Sequence, residues 1–275
     1  MRAATSAVTF DSDGVALLGV LHLPEGEGPH PVAVLCHGFP GNERNFDLAQ
    51  SLRRAGYAAL VFHYRGSWGV GGHWSWANAL DDVARVLRAV REEAFAAAHR
   101  LDPGRLAVFG HSFGGFAALM TAAGDPGVAA TVSVSGFDFG TVARRLDPAG
   151  RRAYVEAFDA DLLPLRGTSG EALVGEMEAA GERWSLAALA PSFAGRPVLL
   201  IGTGLDPVTP AEVHHRPLVS AFAGARLQHD EWPTDHALSD RRAELAATVR
   251  DFLDRAIGGT APVPEGVSGG LAEGV

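Results

Sequence analysis

Cysteine is nearly absent from the 275-residue chain: Cys36 stands alone, so no internal disulfide can form. It lies in the apolar run "VAVLCHG", where a small buried hydrophobe is the expected role. Basic charge is also scarce. Lys and Arg total 23 against 32 for Asp and Glu, a formal net charge of −9. A chain that neutralises phosphates needs a basic balance or stripe, so nucleic acid is excluded as a partner. No apolar run approaches the ~18 residues needed to span a bilayer. The N-terminus, "MRAATSAVTFDSDGVALLGVLHLPEG", has no continuous apolar stretch of signal-peptide type. These absences predict a cytoplasmic protein with no membrane partner. No His, Cys or Asp cluster has ligand spacing, so neither a metal nor a cofactor is expected.

What is present is apolar content of 47%, enough to bury a large core in one or two domains. Short apolar runs alternate with helical patterns. "AVTFDS" and "LLGVLHL" flank the turn signal Asp13-Gly14 and read as an antiparallel pair. "PVAVLCHG", "YAALVFHY", "RLAVFGHS", "VAATVSVSG", "RPVLLIGTG" and "ARLQHDEW" read as further strands. Between them lie helical stretches: "NFDLAQSLRRAG", one long helix over "NALDDVARVLRAVREEAFAAAH", "FAALMTAAG", "PAEVHHRPLVSAFAG" and "SDRRAELAATVRDFLDRAI". "DPG" before "RLAVF" reads as a turn. This alternation predicts an α/β fold with a mostly parallel, doubly wound sheet. Residues 137–190 lack a convincing strand and read as a helical insertion placed as a lid, too long for an ordinary connection. A single domain over 1–257 is expected, followed by a disordered tail at 258–275, rich in Gly and Pro.

Gly-x-Ser-x-Gly occurs twice, at 110–114 ("GHSFG") and at 266–270 ("GVSGG"). Only the first follows an apolar strand and opens a helix, the setting that holds a serine on a tight turn with its hydroxyl exposed. A serine needs a base, and the base needs an orienting partner. Of eleven histidines, His236 lies in a loop between the last strand and last helix, on the same sheet edge as Ser112. His214 and His215 fall within a predicted helix, His37 and His111 in the glycine turns, and His22, His30 and His99 at surface positions. Asp206 follows a strand at the same edge, whereas Asp230, Glu231 and Asp235 crowd His236 in sequence. The expected catalytic set is Ser112, Asp206 and His236. "CHGFPGN" places the Phe39 amide near the nucleophile, and with the Phe113 amide it forms the expected oxyanion hole.

"YRGSWGVGGHWSW", residues 64–76, opens at that edge too. A phosphate-binding loop would carry a Lys-Ser/Thr pair and start a helix on its last glycine, and this stretch does neither. Trp68 is the expected pocket-wall residue, Arg65 an ion-pair anchor for the loop, and Trp74 and Trp76 read equally as wall or as packing beneath the next helix.

The chain resembles the α/β-hydrolase superfamily over nearly its whole length. "DPGRLAVFGHSFGGFAALM", "YRGSWGVGG", "GTGLDPVTP" and "TDHALSDRR" are similar to segments of prolyl-oligopeptidase-type serine peptidases and the small esterases related to them. The resemblance implies that Ser112, Asp206 and His236 are nucleophile, acid and base. Those peptidases carry a large propeller before the catalytic domain, whereas about thirty residues precede the oxyanion segment here. The expectation is therefore hydrolysis of a small-molecule ester. Peptidase or amidase action, acyl transfer, and a catalytically silent binding protein on the same fold stand as alternatives.

Overall fold

A computed structural model of the chain describes residues 1–258. Its sheet comprises β1 (Ala4–Ser12), β2 (Val15–Leu23), β3 (His30–Cys36), β4 (Ala58–Phe62), β5 (Leu101–His111), β6 (Ala130–Val134), β7 (Pro197–Thr203) and β8 (Arg226–Trp232). Their order is β1-β2-β4-β3-β5-β6-β7-β8. β1 pairs with β2 through Asp13-Gly14, both at positive φ, the geometry a two-residue hairpin demands. β2 also runs antiparallel to β4, and every pairing from β4 onward is parallel. The α/β architecture read from the sequence is the one observed.

Side chains of a strand alternate between faces, and here both faces are covered. Val32, Val34 and Cys36 of β3 join the core beneath α2 (Trp76–Ala89) and α4 (Phe113–Ala123). Ala33 and Leu35 join the opposite core, with Leu48 and Leu52 of α1 (Phe46–Arg54) and Val249 and Phe252 of α10 (Arg242–Ile257). Cys36 is fully buried, and that burial pushes its thiol up to about 12.

Several local expectations are corrected. The long helix over 78–99 is two: α2 ends at Ala89 with Val90 as its C-cap, and α3 (Glu93–His99) starts afresh on a glutamate that suits its N-terminus. Asp102-Pro103-Gly104 is not a turn before β5 but a bulge inside it, where the register against β3 slips between Pro31 and Val32. The stretch 210–224 breaks into α8 (Ala211–His214), α9 (Arg216–Ala221) and a final 3₁₀ turn, with Pro217 at the start of α9. His22 and His30 are buried, not at the surface. Between β6 and β7 lie α5 (Phe139–Ala143), α6 (Pro148–Ala160), α7 (Gly170–Ala180) and two 3₁₀ turns. The second Gly-x-Ser-x-Gly and, Gly258 apart, the expected tail lie outside the described residues.

Candidate active site

The β5–α4 turn carries Ser112 at φ 59° and ψ −123°, a conformation that costs energy for any residue with a Cβ. Glycine neighbours make the turn sterically feasible. A Cβ on Gly110 would lie 1.8 Å from the Gly114 carbonyl oxygen, and one on Gly114 would lie 2.0 Å from that of Cys36. The turn therefore needs glycine at both positions, and α4 packs directly against β3.

His236 sits in the loop after β8, and its Nδ1 donates to Asp206 Oδ2 at 2.6 Å. Asp206 follows β7, is buried, and gathers four more donors. Val208 and Thr209 amides reach Oδ1 at 2.8 and 3.1 Å, while the Thr203 and Thr209 hydroxyls reach Oδ2 at 2.7 and 2.5 Å. Burial by itself would raise this carboxyl. The His236 hydrogen bond and charge, then the two threonines, outweigh burial and hold it well below the usual carboxylate range. Two of the rival acids are engaged elsewhere: Glu231 pairs with Arg216 at 2.7 Å, and Asp235 caps the Ser239 amide at 2.8 Å. His111 Nε2 donates to the His236 carbonyl at 2.7 Å, fixing that loop against the β5–α4 turn. Burial lowers His111 to about 3, so it is neutral.

Ser112 and His236 border one cavity of about 610 Å³, roofed by Tyr154, Ala157 and Phe158 from α6 and floored by the Gly38–Gly41 segment. No hydrogen bond joins Ser112 Oγ to His236 among the described residues, as is common before substrate tightens a site. The Phe113 amide, first of α4, and the Phe39 amide donate to no protein acceptor among the described residues. Among those residues, no three His, Cys, Asp or Glu side chains are grouped to hold a metal ion. No described helix is long and apolar enough to cross a membrane.

A family model described as the alpha/beta hydrolase family matches residues 33–257. The chain belongs to that family. Relatives match this alpha/beta hydrolase over shorter stretches. The quorum-quenching protein AidA of Acinetobacter baumannii is 34% identical over 137 residues, 48% of this chain and 44% of that protein. The uncharacterized peptidase YuxL of Bacillus subtilis is 37% identical over 114 residues, 38% of this chain and 17% of that one. The match thus spans less than half the length of either relative. Among solved structures, Est1E of Butyrivibrio proteoclasticus bound to ferulic acid superposes with a TM-score of 0.74 at 18% identity, covering 92% of this chain and all of that one.

The tryptophan–glycine segment of this hydrolase lies behind the wall of that 610 Å³ cavity, and only Trp76 reaches a second, smaller space beside Ser112. Trp68 is not on that wall, contrary to expectation: its Nε1 donates to the Pro40 carbonyl at 2.9 Å, and the Arg44 guanidinium stacks 4.2 Å from its ring. Tyr64 is buried and its hydroxyl donates to the His37 carbonyl at 2.9 Å. His37 Nδ1 donates to the Gly38 carbonyl at 2.8 Å. Three anchors therefore hold the carbonyls of residues 37, 38 and 40. Arg65 is the loop anchor expected of it. Its Nε and backbone amide both meet the buried carboxylate of Asp82 at 2.7 Å, which also accepts from Ser12. Trp74 and Trp76 are buried, and Trp76 Nε1 donates to the Leu173 carbonyl in α7. Sequence reading did not find the threonine pair on Asp206 or the Tyr64 and His37 anchors. Thr203 and Thr209 do flank the acid within "GTGLDPVT", a polar clustering that was the available signal.

Proposed function

We propose that the chain is a serine hydrolase that cleaves small carboxylic esters through an acyl-enzyme on Ser112. One observation carries the reading: a five-donor Asp206 orients His236 into the same cavity onto which a strained turn exposes Ser112. In the first step His236 Nε2 takes the hydroxyl proton as Ser112 Oγ bonds the carbonyl carbon. The amides of Phe39 and Phe113 receive the developing oxyanion. The carbon–oxygen bond to the leaving alcohol then breaks, and His236 returns the proton to that oxygen. Water repeats the sequence on the acyl-enzyme, releasing the acid and restoring Ser112.

A fluorophosphonate probe tests the nucleophile. The wild type is expected to be labelled on Ser112 and Ser112→Ala to remain unlabelled; equal labelling of both overturns the assignment. His236→Ala is expected to abolish ester turnover, while His214→Ala leaves most of it. His214 is buried against Phe137, and its Nδ1 accepts the Asp138 amide at 3.0 Å, whereas the Asp206 carboxylate is bonded to His236. The similarity to a peptidase favours amide cleavage as the second reading. Rates on matched p-nitrophenyl esters and aminoacyl anilides separate the two: anilide turnover as fast as ester turnover selects the amidase.

A further inference from the structure

Two cavities meet at Ser112. The first is the 610 Å³ space already described, which includes His236 and Ala237 on its border. The second, about 60 Å³, is lined by Ser112 and by aromatic rings, among them Trp76, Phe113, Phe139 and Phe158. His236 does not border it, and neither does any charged side chain.

An ester bound for attack has two arms diverging from its carbonyl carbon. The arm that leaves must have its oxygen within hydrogen-bond reach of the general acid. His236 fills that role in the proposed mechanism, so the alcohol arm occupies the cavity that His236 borders. The acyl arm takes the remaining space at Ser112. We propose that the aromatic chamber is the acyl pocket and that it selects short, uncharged acyl groups, with the large cavity accepting the alcohol. This inference rests on the serine-hydrolase reading.

Size sets the limit. A cavity of ~150 Å³ admits the six carbons of benzene, so 60 Å³ holds about two carbons beyond the carbonyl, the length of acetyl or propionyl. The walls resist expansion because the rings brace one another. Ring centroids lie 4.7 Å apart for Trp76 and Phe139, 5.0 Å for Trp76 and Phe113, and 4.6 Å for Phe139 and Phe116. Trp76 is further pinned by its bond to Leu173. Close-packed interiors yield little to an oversized guest.

The test compares p-nitrophenyl acetate, propionate, butyrate, hexanoate and benzoate, then acetates of increasingly bulky alcohols of matched acidity. The expected kcat/KM falls at least ~10-fold between propionate and hexanoate, and benzoate is as poor, while the acetates vary far less. Phe139 borders the aromatic chamber and not the large cavity, so Phe139→Ala is expected to raise hexanoate relative to acetate ~10-fold with the alcohol profile unchanged. If that variant does not fold, Phe139→Leu and the wild-type profile carry the comparison. Hexanoate and acetate cleaved equally well by the wild type, or selectivity residing in the alcohol series, overturns the acyl assignment. In those cases turnover lost in Ser112→Ala leaves the serine-hydrolase reading standing. No turnover of any ester together with no fluorophosphonate labelling sinks that reading itself.

Discussion

Asp206 accepts five hydrogen bonds, and its two threonine partners have a consequence that pH can read. A carboxylate held below its unfolded value stabilises the fold above about pH 3.9 and loses that contribution as pH falls through the lowered value. Thr203→Val with Thr209→Val removes two of the donors that lower it. Each charge-assisted bond is worth ~1.5–3 kcal/mol, so the double variant is expected to lose at least the low end of that at pH 7. The loss should shrink as pH drops toward the acid range where the carboxyl protonates. Urea unfolding at pH 7 and at about pH 2, approaching the lowered value, checks this; an equal deficit at both would mean the threonines act through packing. His37 offers a second residue-scale test. The trans Gly38–Phe39 peptide is planar, so its carbonyl and N–H point opposite ways. By holding the Gly38 carbonyl, His37 aims the Phe39 amide away from itself. Burial first, then the neighbouring His63, lowers His37 to about 3, which keeps it neutral. His37→Leu is expected to lower kcat ~10²–10³-fold with KM little changed, and His37→Asn, whose amide can replace the donor, to restore most of it. A loss in KM instead would assign His37 to substrate binding. Ser112, Asp206 and His236 were legible in sequence because each follows its own strand at one sheet edge. The anchors on carbonyls were not, because a bond from Tyr64 to the backbone of residue 37 leaves no period or motif.

At the scale of elements, the insertion is tied to the body through α7. Glu176 reaches from α7 to the Trp76 and Ala77 amides at 2.9 and 2.7 Å, sharing the N-terminus of α2 with the Ser75 hydroxyl. Burial pushes this carboxyl above its ordinary range even though both amides pull it down. An acid raised in the folded state stabilises less once ionised, so stability falls as pH rises through the folded value. Removing the charge while keeping an acceptor should therefore cost little. Glu176→Gln is expected to leave stability at pH 7 within ~0.5 kcal/mol, whereas Glu176→Ala loses ~1–2 kcal/mol, the usual range for a lost helix cap. Urea midpoints decide it; equal losses would show that the charge itself matters. None of this pairing is visible in sequence, since Glu176 lies a hundred residues from the helix it caps. The same limit explains the misread helix over 78–99. Its apolar period continues through Val90 to Glu92, and only the paired glutamates there hint at a second start.

Across the whole molecule, anchorage falls off from the sheet toward the cavity roof. β5 and β6 are buried along nearly their whole parallel pairing. α7 buries Leu173, Val174 and Met177 and is bound to α2, and the stretch before it is stitched to the tryptophan–glycine segment by Arg166 N to Gly66 O and Trp74 N to Arg166 O. α6 differs. It buries no residue fully, and it meets α7 through Arg151, paired with the exposed Glu171 and Glu178, and through Asp159, which accepts the Gly170 amide at 2.6 Å. Exposed ion pairs hold helices weakly, so apart from the Asp159 bond α6 is joined to the rest chiefly by the aromatic contacts of Tyr154 and Phe158 over the cavity. Local opening follows the density of buried apolar contacts, and the cavity wall with fewest of them should open most often. Amide hydrogen exchange is expected to be slowest in β5 and β6, intermediate in α7 and fastest in α6. A covalent phosphonate on Ser112 fills the cavity beneath Tyr154 and Phe158, so it should slow exchange in α6 far more than in α7. Protection of α6 equal to that of α7 in the free protein would mean that the roof is fixed, leaving substrate to enter between α6 and the Pro207–Val208 rim with no opening of the roof.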